Sequence, residues 1–171
     1  IVDIIKNYNF TINDFEPYIP PSHEFLSEKK VQVHYLGYYL DWDPQECYYY
    51  AVENTGFQSN SERTTGSYSK YSSIDDKIDM FHYYTTFIKF GIGRATYDAA
   101  QEIRNDKITR EEGVNLVKKF DDEFPSKFFK DFLNYIDTSE HEFFETVDKF
   151  RSPHLWRKLS SGQWELKHRV F

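Results

Sequence analysis

The chain has 171 residues, of which 39% are hydrophobic, 29% charged and 19% aromatic, and its net charge is −7. This balance fits one globular domain, and an acidic chain without a Lys/Arg cluster is not expected to bind nucleic acid. One cysteine excludes an internal disulfide, the histidines show no metal-ligand spacing, and no apolar run spans a bilayer, which favours a cytoplasmic protein without membrane insertion.

The first part of the chain predicts one strand and one helix. Residues 31–39 (VQVHYLGYY) are β-branched and aromatic with few breakers, which predicts a strand. Asp43 suits the N-cap of a helix over residues 43–55, which ends at Gly56. Cys47 lies among aromatic residues on that helix, so we expect a buried, unreactive thiol.

Residues 57–73 are rich in Ser and Thr and predict a long polar loop between two helices. Loops of this length inside a compact domain are often lids or binding loops. Arg63, Ser67, Ser69 and Lys70 are the candidate contacts for an anion. The alternative is a mobile, solvated loop.

A long helix is predicted from Ser73, as its N-cap, to Phe90. At about 100° per residue, its apolar side chains spread around most of the helix, whereas five polar residues fall within roughly an 80° arc, with Thr85, Asp76 and Lys77 outside it. We call this arc the polar seam, and its members are Asp75, Asp79, His82, Thr86 and Lys89. A helix that is apolar almost all round is normally buried, so the seam either pairs internally, faces solvent, or lines a wet cleft.

Gly91 and Gly93 separate this helix from the next one. Flanked by Lys89 and Arg94, the glycine turn can hold a phosphate or carboxylate at the N-terminus of the second helix. The alternative is a tight turn whose basic side chains cap carbonyl groups, and the residues alone favour it.

The rest of the chain is predicted to be helical, with a short strand near its end. On the helix after the glycine turn, Arg94, Asp98 and Glu102 are spaced i, i+4, i+8 and share one face, where mutual ion pairing is the simplest account. A capping box at Thr109 opens the next helix. Residues 162–171 alternate enough for a terminal strand.

Two long stretches resemble a known family. The run from IDDKIDMFHYYTTFIKFGIGRATYDAAQEIRN through ITREEGVNLVKKFDDEFP, followed by FRSPHLW, resembles the C-terminal part of the N-acetyl sugar amidotransferases of lipopolysaccharide O-antigen and flagellin-glycan biosynthesis. YLGYYLDWDPQE and AVENTGF extend the resemblance back over most of the chain. The succession KFGIGRAT, DAAQEIRN and ITREEG is long and specific.

The resemblance implies membership of the ATP-pyrophosphatase superfamily and a reaction that converts a sugar acetamido group to an acetamidino group. It implies ATP and Mg²⁺ as cofactors, a nucleotide-activated N-acetyl sugar as acceptor, and a glutaminase subunit as the source of ammonia. The family's Ser-Gly-Gly-x-Asp-Ser loop and cysteine pairs do not occur in these 171 residues. We therefore expect the C-terminal half of an α/β enzyme, a fragment that is inactive alone.

The predicted fold is mainly α with one or two short strands: residues 1–56 end the ATP-binding core, residues 57–73 form the loop, and residues 74–171 form a helical region. The candidates for proton transfer or Mg²⁺ contact are Asp75, Asp76, Asp79 and His82. The candidates for holding a phosphate or the substrate are Arg63, Lys89, Gly91, Gly93, Arg94 and Glu102.

Two alternatives to a site of this kind remain open. The helices from Thr109 to Arg151 can be an interaction module that docks the glutaminase or a second copy of the chain, with no catalytic groups of its own. The polar seam is then structural. The second alternative is a helical scaffold without a catalytic or binding site.

Overall fold

The computed structural model describes residues 2–171, which divide into a first unit that ends at Trp42 and a second that runs from Asp43 to Phe171. The first unit contains α1 (Val2–Asn7), α2 (His23–Glu28) and two 3-10 turns, Ile12–Tyr18 and Leu36–Tyr38. None of its described residues is buried. The second unit carries the core.

The strand predicted over residues 31–39 is not formed. Residues 31–35 are irregular, and the 3-10 turn Leu36–Tyr38 follows them. A strand needs a neighbour to accept and donate its ladder hydrogen bonds, and no strand of the described chain pairs with this segment. Its side chains remain open to solvent, as Val33 at 78% and Tyr38 at 85% exposed illustrate.

The second unit begins with helices and ends with a hairpin. Its helices are α3 (Pro44–Thr55), α4 (Asp79–Phe90), α5 (Arg94–Arg104), α6 (Arg110–Phe120), α7 (Phe129–Tyr135) and α8 (Glu140–Lys149), with a 3-10 turn at Ser126–Phe128 before α7. The strands are β1 (Trp156–Lys158) and β2 (Trp164–Leu166), which pair antiparallel. The prediction of a mainly helical chain with one or two short strands is confirmed.

Local capping explains where several helices begin. The Asp43 carboxylate accepts the amide hydrogens of Gln45 and Glu46 at the start of α3, and Gly56 ends that helix in the left-handed conformation. Thr109 opens α6 with a complete capping box, as predicted. Cys47 is exposed, so the prediction of a buried thiol is wrong. Helix α3 belongs to the second unit, which begins at Asp43. The assignment of residues 1–56 to an ATP-binding core stays a prediction.

Helix α4 begins six residues later than its predicted N-cap, Ser73. Ser73 has a φ of 54°, which does not propagate a helix. The Asp76 carboxylate accepts the Ile78 amide hydrogen at 2.7 Å, which holds residues 74–78 in a turn. Asp75 and Asp76 consequently lie outside the helix, and the polar seam is shorter than predicted.

The core lies between α4, α8 and the hairpin. Its buried members are Phe87, Ile88, Phe143, Val147, Trp156 and Leu166. The Trp156 indole donates to the carbonyl of Ile88 at 2.7 Å and thus ties the hairpin to α4. Beside this core, α5 packs on α6 at Gly113, where a Cβ would lie 2.7 Å from Ile103 Cδ1. Another part of α5 contacts the loop 57–73, where the amide of Ala95 donates to the carbonyl of Gly66.

Candidate functional site

The polar face of α5 is centred on Arg94. Its Nε donates to Asp98 Oδ1 at 3.0 Å, and its Nη1 lies 3.9 Å from Asp79 Oδ2. The guanidinium also lies 4.2 Å from the centroid of the Tyr83 ring, and 15% of the side chain is exposed. The ion pair predicted between Arg94 and Asp98 is confirmed. Because two carboxylates already neutralise Arg94, it is a poor phosphate ligand, contrary to prediction.

The loop 57–73 is packed onto α5, so the alternative of a solvated loop is wrong. Three of its side chains are buried: Thr64, Ser67 and Ser69. The Ser67 hydroxyl donates to the second oxygen of Asp98, and the amide of Ala95 donates to the Gly66 carbonyl at 3.0 Å. These bonds hold the loop as a fixed wall rather than as a lid.

Arg63 anchors the far side of the same loop. Its two terminal nitrogens donate to the two carboxylate oxygens of Glu123, each at 2.6 Å, and Nη1 also donates to the Ser67 carbonyl at 3.0 Å. The Arg63 hydrogen bond lowers the pKa of the Glu123 carboxyl. Arg63 therefore serves the fold, and its predicted contact with a ligand anion is not supported by this arrangement.

Between α3, the loop and α5 lies a cleft of about 330 Å³, which we call the α3–α5 cleft. Its lining combines rings, hydroxyls, amides and charged groups: Pro44, Gln45, Tyr48, Ser59, Tyr68, Ser69, Lys70, Tyr71, Ser72, Arg94, Asp98, Gln101 and Glu102. Its two cations and two carboxylates balance in formal charge. Such a mixture fits a polar ligand of little net charge better than a diphosphate.

Aromatic rings form the α3 side of the cleft. Tyr48 and Tyr71 are stacked, with ring centroids 4.5 Å apart and planes 9° from parallel. The Tyr71 hydroxyl donates to Gln45 Oε1 at 3.1 Å, and burial raises its pKa to about 12. Tyr71 is therefore neutral at physiological pH, and the stacked pair presents ring surface to the cleft.

Tyr68 and Glu102 also line the cleft. The Tyr68 hydroxyl is buried and makes no hydrogen bond within the described chain. Burial raises its pKa strongly, and the negative charges of Glu102 and Asp98 raise it further. Burial also raises the pKa of Glu102, although the nearby Tyr68 hydroxyl opposes that change. The Tyr68 hydroxyl lies close enough to Glu102 to influence its pKa, and the Glu102 carboxylate has more acceptor sites than one hydroxyl can occupy.

The polar seam of α4 does not form one site. Asp79 turns toward Ser73 and Arg94, where the Ser73 hydroxyl donates to its carboxylate. His82 and Lys89 instead line an apolar groove of about 420 Å³ between α4 and α8. The seam is thus split between two surfaces, and its predicted members do not act on a common ligand.

Asp75 and Asp76 lie on a third surface. They border a polar depression of about 350 Å³ that also includes Arg63 and Lys127. Both aspartates are exposed, and neither pairs with Asp79 or His82 in the described structure. The predicted catalytic cluster of these four residues is therefore not assembled.

The glycine turn does not offer an anion site. Gly91 ends α4 in the left-handed conformation, and Gly93 is the N-cap of α5. The Asp121 carboxylate accepts the amide hydrogens of Gly93 and Thr96, both at 2.9 Å, and the Thr96 hydroxyl at 2.8 Å. A side-chain carboxylate thus occupies the position that the sequence analysis assigned to a phosphate. The predicted anion role of Gly91 and Gly93 is wrong.

Four residues that line the cleft were predicted as ligand contacts from the sequence: Ser69, Lys70, Arg94 and Glu102. Asp98 was seen only as an ion-pair partner, and Tyr48, Tyr68 and Tyr71 were not considered as site residues. The available signal was the shared face of α5 together with a tyrosine-containing polar loop beside it. The sequence did not indicate which residues of the loop would pack against α5.

The described residues were also tested against the cofactors that the resemblance implies. No group of three or more His, Cys, Asp or Glu side chains within residues 2–171 is arranged to hold a metal ion. The helix N-terminus beside the glycine turn is filled by Asp121, and Arg94 is neutralised. The glycine turn and Arg94 are therefore not available to the phosphates of ATP, and residues 2–171 present no preformed cluster of three or more ligands for Mg²⁺. Over the same range, no helix combines the length and apolarity of a membrane span.

Comparison with known families gives one match. Residues 65–170, more than half of the chain, match the family described as "LPS biosynthesis protein WbpG-like, C-terminal domain", where LPS is lipopolysaccharide. A search of curated proteins returned no match to this chain. The matched range contains α4 to β2 and the α5 side of the cleft. The chain therefore belongs to the WbpG-like family of lipopolysaccharide biosynthesis proteins and contains their C-terminal domain.

Proposed function

We propose that this chain is the C-terminal region of an ATP-dependent sugar amidotransferase that converts the acetamido group of an N-acetyl sugar to an acetamidino group. The family role in lipopolysaccharide biosynthesis supports this, as do the stretches KFGIGRAT and ITREEG, which resemble N-acetyl sugar amidotransferases. The observation that carries the proposal is the charge-balanced α3–α5 cleft, which suits the acceptor sugar.

The reaction exchanges the acetamido oxygen for an NH group. An amide oxygen is a poor leaving group, so it attacks the α-phosphate of ATP and displaces pyrophosphate; ammonia then attacks the activated carbon, the oxygen leaves as part of AMP, and the excess protons pass to solvent. Because the glycine turn and Arg94 are not available to the phosphates of ATP, and residues 2–171 present no preformed cluster of ligands for Mg²⁺, we assign this chain the acceptor side of the reaction. Within it, Arg94 holds the carboxylates of Asp79 and Asp98 at the edge of the cleft.

The proposal includes three further elements, of which the resemblance implies the first two and the sequence composition favours the third. The acceptor is a nucleotide-activated N-acetyl sugar, the ammonia comes from glutamine through a separate glutaminase subunit, and the reaction takes place in the cytoplasm. Comparing glutamine with ammonium salts as nitrogen sources tests the second element. Turnover with glutamine that requires an added glutaminase supports it, and turnover with glutamine alone contradicts it.

The test of the reaction uses the intact enzyme that carries this chain. A UDP-linked N-acetyl sugar, ATP, Mg²⁺ and ammonium chloride are combined, AMP release is measured, and NMR follows the acetamido carbon. We expect Arg94→Ala and Arg94→Lys to lower kcat/KM by roughly tenfold or more, because each alters the held carboxylates. Arg104→Ala, at the exposed end of α5, is the matched control.

Two outcomes would contradict this function. The first is an intact enzyme that binds the sugar but forms neither AMP nor an acetamidino product. The second is wild-type turnover in folded Arg94 variants, which would remove the α5 face from the reaction. Thermal unfolding of each variant separates lost activity from lost structure.

A further inference from the structure

The charged groups of the α3–α5 cleft differ in what they already bind. Arg94 and Asp98 are paired with each other, and Lys70 donates to the Ser61 carbonyl at 3.1 Å. The carboxylate of Glu102 has no ion pair within residues 2–171. Of the charged side chains that line the cleft, Glu102 is therefore the one with its oxygens available to a ligand.

The surroundings of Glu102 select against a charged ligand. Asp98 lies one helical turn away on the same face and contributes a second negative charge. The nearest cation on that face, Arg94, is neutralised by its two carboxylate partners. A phosphate would meet repulsion from Glu102 and Asp98, with Lys70 as the one cation of the cleft lining that has no carboxylate partner among the described residues, whereas a hydroxyl or amide N–H would donate to Glu102.

The size of the cleft limits what fits. Small-ligand pockets are typically about 300–1,000 Å³. At about 330 Å³ the cleft is at the lower end of that range, which suits one monosaccharide ring rather than a whole nucleotide sugar. The stacked Tyr48 and Tyr71 rings also line the cleft and supply apolar surface for the C–H face of such a ring.

The Tyr68 hydroxyl adds a second observation that points the same way. It is sealed from solvent, lacks a hydrogen-bond partner, and lies close to Glu102. A buried hydroxyl without a partner costs free energy, and a small shift of Glu102 toward it would remove that cost. Tyr68 and Glu102 both line the cleft, so a hydrogen bond from Tyr68 would fix the Glu102 carboxylate at the cleft wall and still leave it acceptor sites for a ligand.

We propose that the α3–α5 cleft binds the uncharged ring of the N-acetyl sugar, that Glu102 selects it by accepting hydrogen bonds from ring hydroxyls, and that Tyr68 is a positioning residue for Glu102. The phosphates and the base of the activated sugar lie outside the cleft. The identity of the sugar rests on the proposed function, whereas the recognition of a neutral hydroxylated ring rests on the cleft itself.

The experiment measures binding to the 171-residue chain by ligand-observed NMR and calorimetry. The probes are N-acetylglucosamine, N-acetylmannosamine and UDP, each up to about 10 mM, because single-ring ligands often bind in the millimolar range. We expect at least one of the two sugars to bind and UDP to leave that binding unchanged. Displacement of the sugar by UDP overturns the proposal, and so does the absence of binding by both sugars.

Variants then assign the binding to Glu102 and Tyr68. Glu102→Gln is expected to weaken sugar binding by roughly tenfold or more, since hydrogen bonds to a charged group are the strong ones. Tyr68→Phe is expected to weaken it less, and to have no added effect in the Glu102→Gln background, because Tyr68 acts through Glu102. Glu111→Gln and Tyr135→Phe, both exposed, are the matched controls.

Each outcome of the variant series has a meaning. Unchanged affinity in folded Glu102→Gln overturns the role of Glu102, and additive losses in the double variant overturn the positioning role of Tyr68. Binding requires neither ATP nor ammonia, so this result is separate from the turnover assay. Sugar binding that depends on Glu102 in an enzyme without amidotransferase activity would retain this inference and reject the proposed function.

Discussion

Replacing Asp121 with alanine is the sharpest test of how the glycine turn is built. The Asp121 carboxylate accepts three hydrogens at the start of α5, from the amides of Gly93 and Thr96 and from the Thr96 hydroxyl, at 2.8 to 2.9 Å. Because the N-cap residue, Gly93, has no side chain, the Asp121 carboxylate takes the place that an N-cap side chain or a bound anion has at other helix N-termini. Its removal leaves the helix N-terminus without a partner.

The magnitude follows from these contacts. Gly93 is buried, so its amide cannot be rehydrated in place, and losing one charge-assisted hydrogen bond of this kind costs about 2 kcal/mol. Losing the capping and helix-dipole contribution adds about 1 kcal/mol. We therefore expect Asp121→Ala to lower the free energy of unfolding by about 3 kcal/mol. Asp121→Asn keeps the oxygen but loses the charge, and its expected cost is about half of that.

The assay is urea unfolding of the 171-residue chain, followed by circular dichroism. Asp122→Ala is the matched control, because Asp122 is the exposed neighbour and has a single long ion pair, 3.7 Å from Arg169. Its expected cost is within about 0.5 kcal/mol. Equal destabilisation by the two substitutions would refute the reasoning.

Added sulfate supplies a second measurement. Asp121→Ala exposes two backbone amides and a hydroxyl at a helix N-terminus, which is a site for an anion. Sulfate should therefore stabilise Asp121→Ala more than it stabilises the wild type or Asp122→Ala. Equal stabilisation of all three proteins would show that no anion site was vacated.

Three further predictions concern stability. Burial raises the pKa of Glu102, so the folded chain binds that proton more tightly than the unfolded chain does. Glu102→Gln should therefore increase the free energy of unfolding at pH 7. The gain should vanish below about pH 4, under the ordinary glutamate pKa, and urea titrations at both pH values measure it. The hydrogen bond from Arg63 lowers the pKa of Glu123, so the Arg63–Glu123 pair stabilises the fold at pH values above the ordinary glutamate pKa. Its contribution to the free energy of unfolding should disappear as the pH falls through the lowered pKa of Glu123. Glu123→Gln should remove this pH dependence of the free energy of unfolding. Trp156→Phe removes the indole donor to the Ile88 carbonyl in the core and should cost about 1–3 kcal/mol in urea unfolding, whereas an effect under about 0.5 kcal/mol would mean that water satisfies the carbonyl.

Local sequence signals were reliable where a helix end is decided by its own few residues. Asp43 and Thr109 cap the helices they were predicted to cap, and Gly56 ends α3 in the left-handed conformation. Each of these depends on a side chain within three positions of the amide it serves, so no distant residue can overrule it. The start of α4 was predicted too early. The Asp76 carboxylate accepts the Ile78 amide hydrogen in a turn, and the same residues could equally have formed the first turn of a helix.

Predictions that depended on a distant partner were less secure. The strand expected over residues 31–39 has suitable residues, but a strand needs a neighbouring strand, and none of the described chain pairs with it. Lys89, Arg94 and the glycine turn have the composition of an anion site. Asp121, 28 residues after Gly93, fills that site, and nothing in the local sequence announces it.

What the sequence by itself determined is the helical character of the chain, most of its caps, the shared face of Arg94, Asp98 and Glu102, and the resemblance to sugar amidotransferases. The tertiary structure decided which of those polar groups remain available. Asp79 and Asp98 neutralise Arg94, Asp121 occupies the glycine turn, and Glu102 lies beside Tyr68 without an ion pair among the described residues. A charge pattern specifies which groups a helix carries, but their availability depends on partners that only folding brings within hydrogen-bond distance.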